Sequence, residues 1–169
     1  MRNCISILVF VLTVTVAAHG ENSVVLTQKA APLKITKYRA TYEEEYRGSY
    51  SSHPDQIRHA VSCQNVSGKV VAAYQIGLVA FDAFNNLMDK FNGWSIKTIA
   101  IDGSADGVWT QNPYAAFSFQ GYGTGVAYVN AVRFEDGTIW RADIAEVLFE
   151  LQKFEKDLKK EDLQEKKKP

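Results

Sequence analysis

Residues 65 to 84 constrain this chain most. They read Asn65-Val-Ser-Gly-Lys-Val-Val-Ala-Ala-Tyr-Gln-Ile-Gly-Leu-Val-Ala-Phe-Asp-Ala-Phe84. Asn65 to Gly68 has turn composition. The run that follows puts Val70, Ala72, Tyr74, Ile76 and Leu78 on one face of an extended strand. Val71, Ala73, Val79 and Phe81 fall on the other, relieved by Lys69, Gln75 and Gly77. A strand apolar on both faces needs cover on both sides, so it is expected at the centre of a sheet with a layer above and a layer below. Asp82 to Asn86 then turns the chain.

The N-terminus has the form of a secretory signal peptide over residues 1–20. Arg2 supplies a positive start, and Ile5 to Val16 is an apolar run too short to favour a membrane span. Small residues at Ala18 and Gly20 predict a mature chain beginning near Glu21, with cleavage after Ala18 as the alternative. Cys4 precedes the apolar run and is not a lipoprotein cysteine. No transmembrane span is expected after cleavage. About 149 residues then remain, the size of one domain with a real core. The 19 basic and 19 acidic residues balance, which gives no electrostatic case for nucleic acid or an anionic membrane. Cys63 is the one cysteine left, so no disulfide framework exists although export implies an oxidising compartment. It shares a strand face with Ile57, His59 and Val61, and a buried, inert thiol is expected.

Residues 21–33 read as a flexible leader with a short edge strand at Val24 to Leu26, and 34–142 as the folded body. From Ile35 the pattern alternates, with Tyr38, Ala40, Tyr42 and Tyr46 on one face. Arg47 to Gln56 reads as a surface loop, and Ile57 to Gln64 as a second alternating strand. Leu87 to Phe91 and Trp94 to Ile101 read as two strand pieces broken at Asn92-Gly93. Asp102 to Gly107 reads as a loop, Tyr114 to Phe119 as an aromatic strand after Pro113, and Gly121 to Gly123 as a turn. Thr124 to Phe134 alternates, with Val126, Tyr128, Val132 and Phe134 inward and Asn130 interrupting. Asp136-Gly137 is a hairpin signal. A two-residue loop there pairs Glu135 with Thr138, Phe134 with Ile139 and Arg133 with Trp140. Phe134 and Ile139 would then point to the core, with Arg133 and Trp140 together on the opposite face.

The period then becomes helical. Ile144, Val147, Leu148, Leu151, Phe154 and Leu158 predict a helix over 143–160, capped by Asp143, ahead of a charged tail at 161–169. About eight strands with regular turns, followed by this helix, predict a mainly β fold: an antiparallel sandwich with a C-terminal α-helix. A barrel is the alternative.

The Asn65-Val-Ser-Gly-Lys-Val-Val series, followed by Ile76-Gly-Leu-Val-Ala-Phe-Asp-Ala-Phe-Asn-Asn86, resembles a pattern in small exported bacterial modules of the FxLYD type and related families of unknown function. The Val132 to Trp140 hairpin is similar too. The likeness spans roughly residues 57–142, with Phe81 standing where the pattern commonly has Tyr. It implies an immunoglobulin-like sandwich and export, and brings no catalytic residues with it.

Asp102, Ser104, Asp106 and Gly107 match positions 1, 3, 5 and 6 of a calcium loop, but Pro113 occupies position 12, where a bidentate Glu is needed. His53, Asp55 and His59 form a second, poorer metal set. Among the aromatics Trp109, Tyr114, Phe117, Phe119 and Tyr122, Trp109 and Tyr122 fall in predicted turns and are the candidates for an exposed sugar-stacking surface; Phe117 and Phe119 read as core. No nucleophile elbow, HExxH or phosphate loop is present. Asn65-Val-Ser67 is a formal glycosylation acceptor. The expectation is an exported, non-catalytic β-sandwich module for binding or envelope structure, secreted or periplasmic, without a cofactor. A carbohydrate- or calcium-binding domain is the alternative. The helix is expected to dock through Leu151 and leave Phe154 and Leu158 partly free. Otherwise it projects, capturing a protein or envelope partner or making a homodimer of an otherwise monomeric chain.

Overall fold

The computed structural model describes residues 22–113 and 118–163. The expected signal peptide, most of the expected aromatic strand and the end of the charged tail lie outside the described residues. The fold is mainly β, with two packed sheets and a C-terminal helix. The strands are β1 (Asn22–Val25), β2 (Leu33–Glu43), β3 (Tyr46–Arg47), β4 (Ser52–His53), β5 (Gln56–Asn65), β6 (Val71–Asp82), β7 (Leu87–Ser95), β8 (Ser104–Gln111), β9 (Tyr122–Phe134) and β10 (Ile139–Arg141). The main sheet runs β1-β9-β6-β7, with β10 also on β9; the smaller sheet runs β2-β5-β8; β3 and β4 form a separate ribbon inside the expected surface loop.

The doubly apolar strand is central, as its composition requires. β6 lies between β9 and β7. One face of it, with Val71, Tyr74, Ile76 and Leu78, packs against Leu33, Ile35, Val61 and Cys63 of the small sheet. The other face, with Val79 and Phe81, packs under the C-terminal segment. The partition differs from strict alternation at the start of the strand. A bulge between Val71 and Ala73 turns Val71 to the side of Tyr74. A second bulge sets Gln75 and Ile76 opposite Ala131 and Val129, with Asn130 between them. It exchanges the faces of β9: Val126 and Tyr128 lie under the helix, while Val132 and Phe134 enter the space between the sheets. The four residues therefore do not share one inward face.

The edge of β9 is completed by three different devices. β1 pairs with residues 124 to 127, in parallel, which departs from the all-antiparallel expectation. β10 pairs with residues 131 to 133. Between them the Gln28 side chain acts as a strand residue: its Nε2 donates to the Val129 carbonyl at 3.0 Å, and its Oε1 accepts from the Val129 N–H at 2.7 Å. Every buried backbone group needs such a partner.

Four sequence expectations change. β7 runs unbroken through Asn92-Gly93 to Ser95. Gly93 is there for close approach, not for a turn. The Trp109 ring lies between Gly93 and Gly107, and an added Cβ at either would sit within 2.5 Å of it. The expected loop at 102 to 107 becomes strand from Ser104 onward, because β8 pairs with β5 along its whole length. The hairpin has a three-residue loop: Phe134 N–H donates to the Thr138 carbonyl and Gly137 N–H to the Phe134 carbonyl, with Gly137 at φ +83°. Arg133 therefore pairs with Ile139, and Trp140 with Val132. Trp140 packs on the core while Ile139 is exposed. Burying the larger ring suits this register. Asp136 fits the loop by accepting from Thr138 N–H at 2.9 Å and pairing with Lys69 at 2.7 Å; these partners hold its carboxyl far below the usual range.

The fourth change concerns the C-terminus. The helix, α1, spans Ile144–Leu151 and is capped by Asp143, whose carboxylate accepts from Ala145 N–H at 2.9 Å. It stops short of the expected residue 160. An 18-residue helix would reach about 27 Å and carry its last apolar residues past the sheet. The chain instead turns at Gln152, whose Nε2 donates to the Leu158 carbonyl, and runs into a 3₁₀ turn, Lys160–Leu163. Glu155 accepts from Leu87 N–H at 2.7 Å and pins this return to β7. Phe154 stacks on Phe81 at 5.3 Å between centroids, and Leu158 and Leu163 are buried. Leu158 is thus covered, not partly free, and the apolar stripe lies in the protein's own core.

Leu151 is fully buried against β6 and β9. Leu151→Ala is expected to lower unfolding stability by about 2–5 kcal/mol, seen as a lower denaturant midpoint at unchanged slope.

Candidate functional site

β5 delivers Ile57, His59, Val61, Cys63 and Asn65 inward by plain alternation. Cys63 is a buried thiol whose pKa burial pushes up. His59 lies between two apolar clusters, one around Ile57 and one around Val61. Its Nδ1 is 3.0 Å from the Tyr38 hydroxyl and its Nε2 is 3.0 Å from Gln111 Oε1. Gln111 Nε2 donates to Asp89 Oδ2 at 2.9 Å. The tautomer follows from this last bond. Asp89 needs the amide nitrogen, so Gln111 presents its oxygen to His59, His59 carries its proton on Nε2, and Nδ1 accepts from Tyr38. One directed chain thus joins β2, β5, β8 and β7. Burial lowers the imidazole to about 4 and keeps it neutral. Burial also raises the Tyr38 phenol, helped by neighbouring Tyr122. Both ring nitrogens of His59 are committed, and neither His59 nor Gln111 touches solvent. A general base must reach the proton it takes, and this imidazole has no route to an outside substrate.

The residues singled out from sequence are dispersed. Trp109 and Tyr122 stand on strands, not in turns. The Trp109 indole donates to the Trp94 carbonyl at 3.0 Å and packs on the inter-sheet core, and Tyr122 packs beside Ala40, Ile57 and Phe119. Neither offers a free ring face. Asp102 occupies a turn at φ +59°, while Ser104 and Asp106 sit two residues apart on the outer side of β8. The extended backbone prevents the converging carboxylates a calcium loop requires. The second set is also split: His59 is interior, His53 lies against the Pro54 carbonyl, and Asp55 accepts from Ser118 and from Phe119 N–H. No group of three metal-ligating side chains occurs among the described residues. Asn65 is fully buried, and its amide nitrogen donates to the carbonyls of Lys69, Ile99 and Ala100. In the folded state that nitrogen is inaccessible to glycosylation.

The feature that sequence reading missed is Trp94. Cross-strand pairing sets Trp94 opposite Gln75, and Asn92 opposite Gly77, on the outer face of the main sheet. The C-terminal segment packs on this face over Val79, Phe81, Val126 and Tyr128. Beyond that cover Trp94 is 67% exposed. Beside it Asn130 Nδ2 donates to Gln75 Oε1 and Asn92 Oδ1, each at 3.3 Å. No sequence signal marks it, because the break expected at Asn92-Gly93 leaves the facing of Trp94 undefined. Elsewhere two shallow depressions are present, one of about 240 Å³ on the small sheet around Arg39 and Arg58, and one of about 230 Å³ beside Leu26 and Val66. No helix among the described residues is long and apolar enough to cross a membrane.

No protein-family model matches the chain. No curated protein matches it in sequence. A hypothetical protein from Peptoclostridium difficile 630 is similar in structure, with a TM-score of 0.52 and 12% identity over 75% of this chain and 93% of that one. A structural-genomics target, SoR45, aligns with a TM-score of 0.43 and 12% identity over 66% of this chain and 80% of that one. The likeness to the first is one of fold.

The neutral, buried imidazole makes stability depend on pH. The folded value of about 4 lies below the ordinary 6.5, so the unfolded chain binds the proton first. The contribution, about 3 kcal/mol, is fully present above pH 6.5 and is lost as pH falls toward 4. Denaturation midpoints measured between pH 7 and 4.5 should fall in the native protein and stay flatter in His59→Gln.

Proposed function

We propose that this protein is an exported binding module that works through the open half of its main sheet and carries out no catalysis. The observation that carries the reading is the half-covered outer face. The protein buries the Val79 and Phe81 end under its own helix, yet leaves Trp94 exposed on an ordered strand one register step from the cover. Large exposed aromatics on rigid elements are favoured at recognition surfaces because little conformational freedom is lost on binding. The sealed Tyr38–His59–Gln111–Asp89 chain supports the non-catalytic part of the reading. Export rests on the form of residues 1–20 and on the likeness to FxLYD-type modules, which also suggests an immunoglobulin-like sandwich. A secreted or periplasmic location follows from the same argument.

Co-sedimentation with the isolated cell-surface fraction tests this reading. The exported protein should be retained, and Trp94→Ala, which removes an exposed ring, should lose at least about tenfold in retention with an unchanged melting midpoint. Equal retention of the two proteins would remove Trp94 from the function.

A further inference from the structure

The geometry points to an acidic oligosaccharide as the ligand of the Trp94 face; this inference rests on the binding-module reading and names its chemistry. A row of side chains crosses four strands on that face. Trp94 of β7 is paired with Gln75 of β6, Gln75 with Ala131 of β9 at the Asn130 bulge, and Ala131 with Arg141 of β10. Three inter-strand steps separate the two ends, about 14 Å, a span suited to a short chain of sugar rings. An indole face stacks on the apolar C–H face of a pyranose. The amides of Gln75 and Asn130 alongside offer neutral donors and acceptors for hydroxyl groups, and the hydrogen bonds from Asn130 to Gln75 and Asn92 hold them in place.

The far end of the row sets the charge. Arg133 and Arg141 are both exposed, and neither forms an ion pair among the described residues. Arg133 is paired with Ile139, one row on from Arg141. Two guanidinium groups at the end of an amide-lined row fit a carboxylate or sulfate on the sugar, which arginine binds bidentately. The overall charge balance argues against a polyanion such as nucleic acid, which needs a broad basic surface. A protein interface core would be apolar, and this row is not.

The test combines two measurements. In the first, titration calorimetry compares oligogalacturonate with a neutral galactose oligomer of equal length. The uronate should bind about tenfold or more tightly than the neutral chain; Arg141→Gln should abolish that preference, and Trp94→Ala should weaken both by about tenfold or more. Binding unaffected by either substitution, or binding of neither oligomer, overturns the inference. In the second, the cell-surface fraction is treated with periodate, which cleaves vicinal diols, or with protease, before co-sedimentation. Retention lost after periodate and kept after protease supports the inference. Retention kept after periodate and lost after protease overturns the carbohydrate while the binding-module reading stands. Absence of retention on the untreated fraction overturns both.

Discussion

From Ile76 to Phe81, β6 has no face that water can take, and the architecture answers to that constraint. Its inner side chains require a second sheet, which β2, β5 and β8 provide. Val79 and Phe81 require a lid, and the C-terminal segment supplies it. A single eight-residue helix is too small to cover them, so the chain doubles back and adds Phe154, Leu158 and Leu163. The extent of that lid in turn decides which part of the sheet remains open. Trp94 lies outside it because the strand's outer apolar residues end at Gly77 and give way to Gln75.

The inter-sheet space is not uniformly apolar. The Tyr38–His59–Gln111–Asp89 chain separates the cluster around Ile76 from the one around Ala80. A buried polar network is favourable when every member is satisfied and costly when one is not. Its links come from both sheets, so a one-residue slip of β8 along β5 would break the Gln111 contact and leave the imidazole Nε2–H unpaired in a dry interior. The network therefore fixes register more than it adds stability.

Much of the fold was legible in the sequence because it rests on alternation. Ile57, His59, Val61 and Cys63 fell on one buried face, and β6 was identifiable as central from composition alone. Alternation failed wherever a bulge intervened, since one inserted residue reverses every facing beyond it. Asn130 shows this: the sequence marks an interruption, but not that Tyr128 and Val132 then face different layers. The hairpin erred for a related reason, because Asp-Gly suits both two- and three-residue loops and the burial of Trp140 decides between them. The spacing of Phe154 and Leu158 fits a continued helix and fits equally a chain that returns the same residues to one sheet. The candidate site was least legible. Nothing in the pattern of either stretch tells that Trp109 goes inside and Trp94 outside; what separates them is that Gly93 and Gly107 make room for one ring in the interior.

The borrowed strand residue on β9 has a kinetic side. Gln28 reaches Val129 across 101 positions, and the remaining edge needs two segments far apart in sequence, β1 and β10. Contacts of such long sequence separation form slowly, since closing large loops precedes any gain from pairing. A polypeptide emerging N-terminus first from a ribosome cannot close this edge until residues 139–141 have followed. The edge of the central sheet thus locks only after β10, long after β1 has been made.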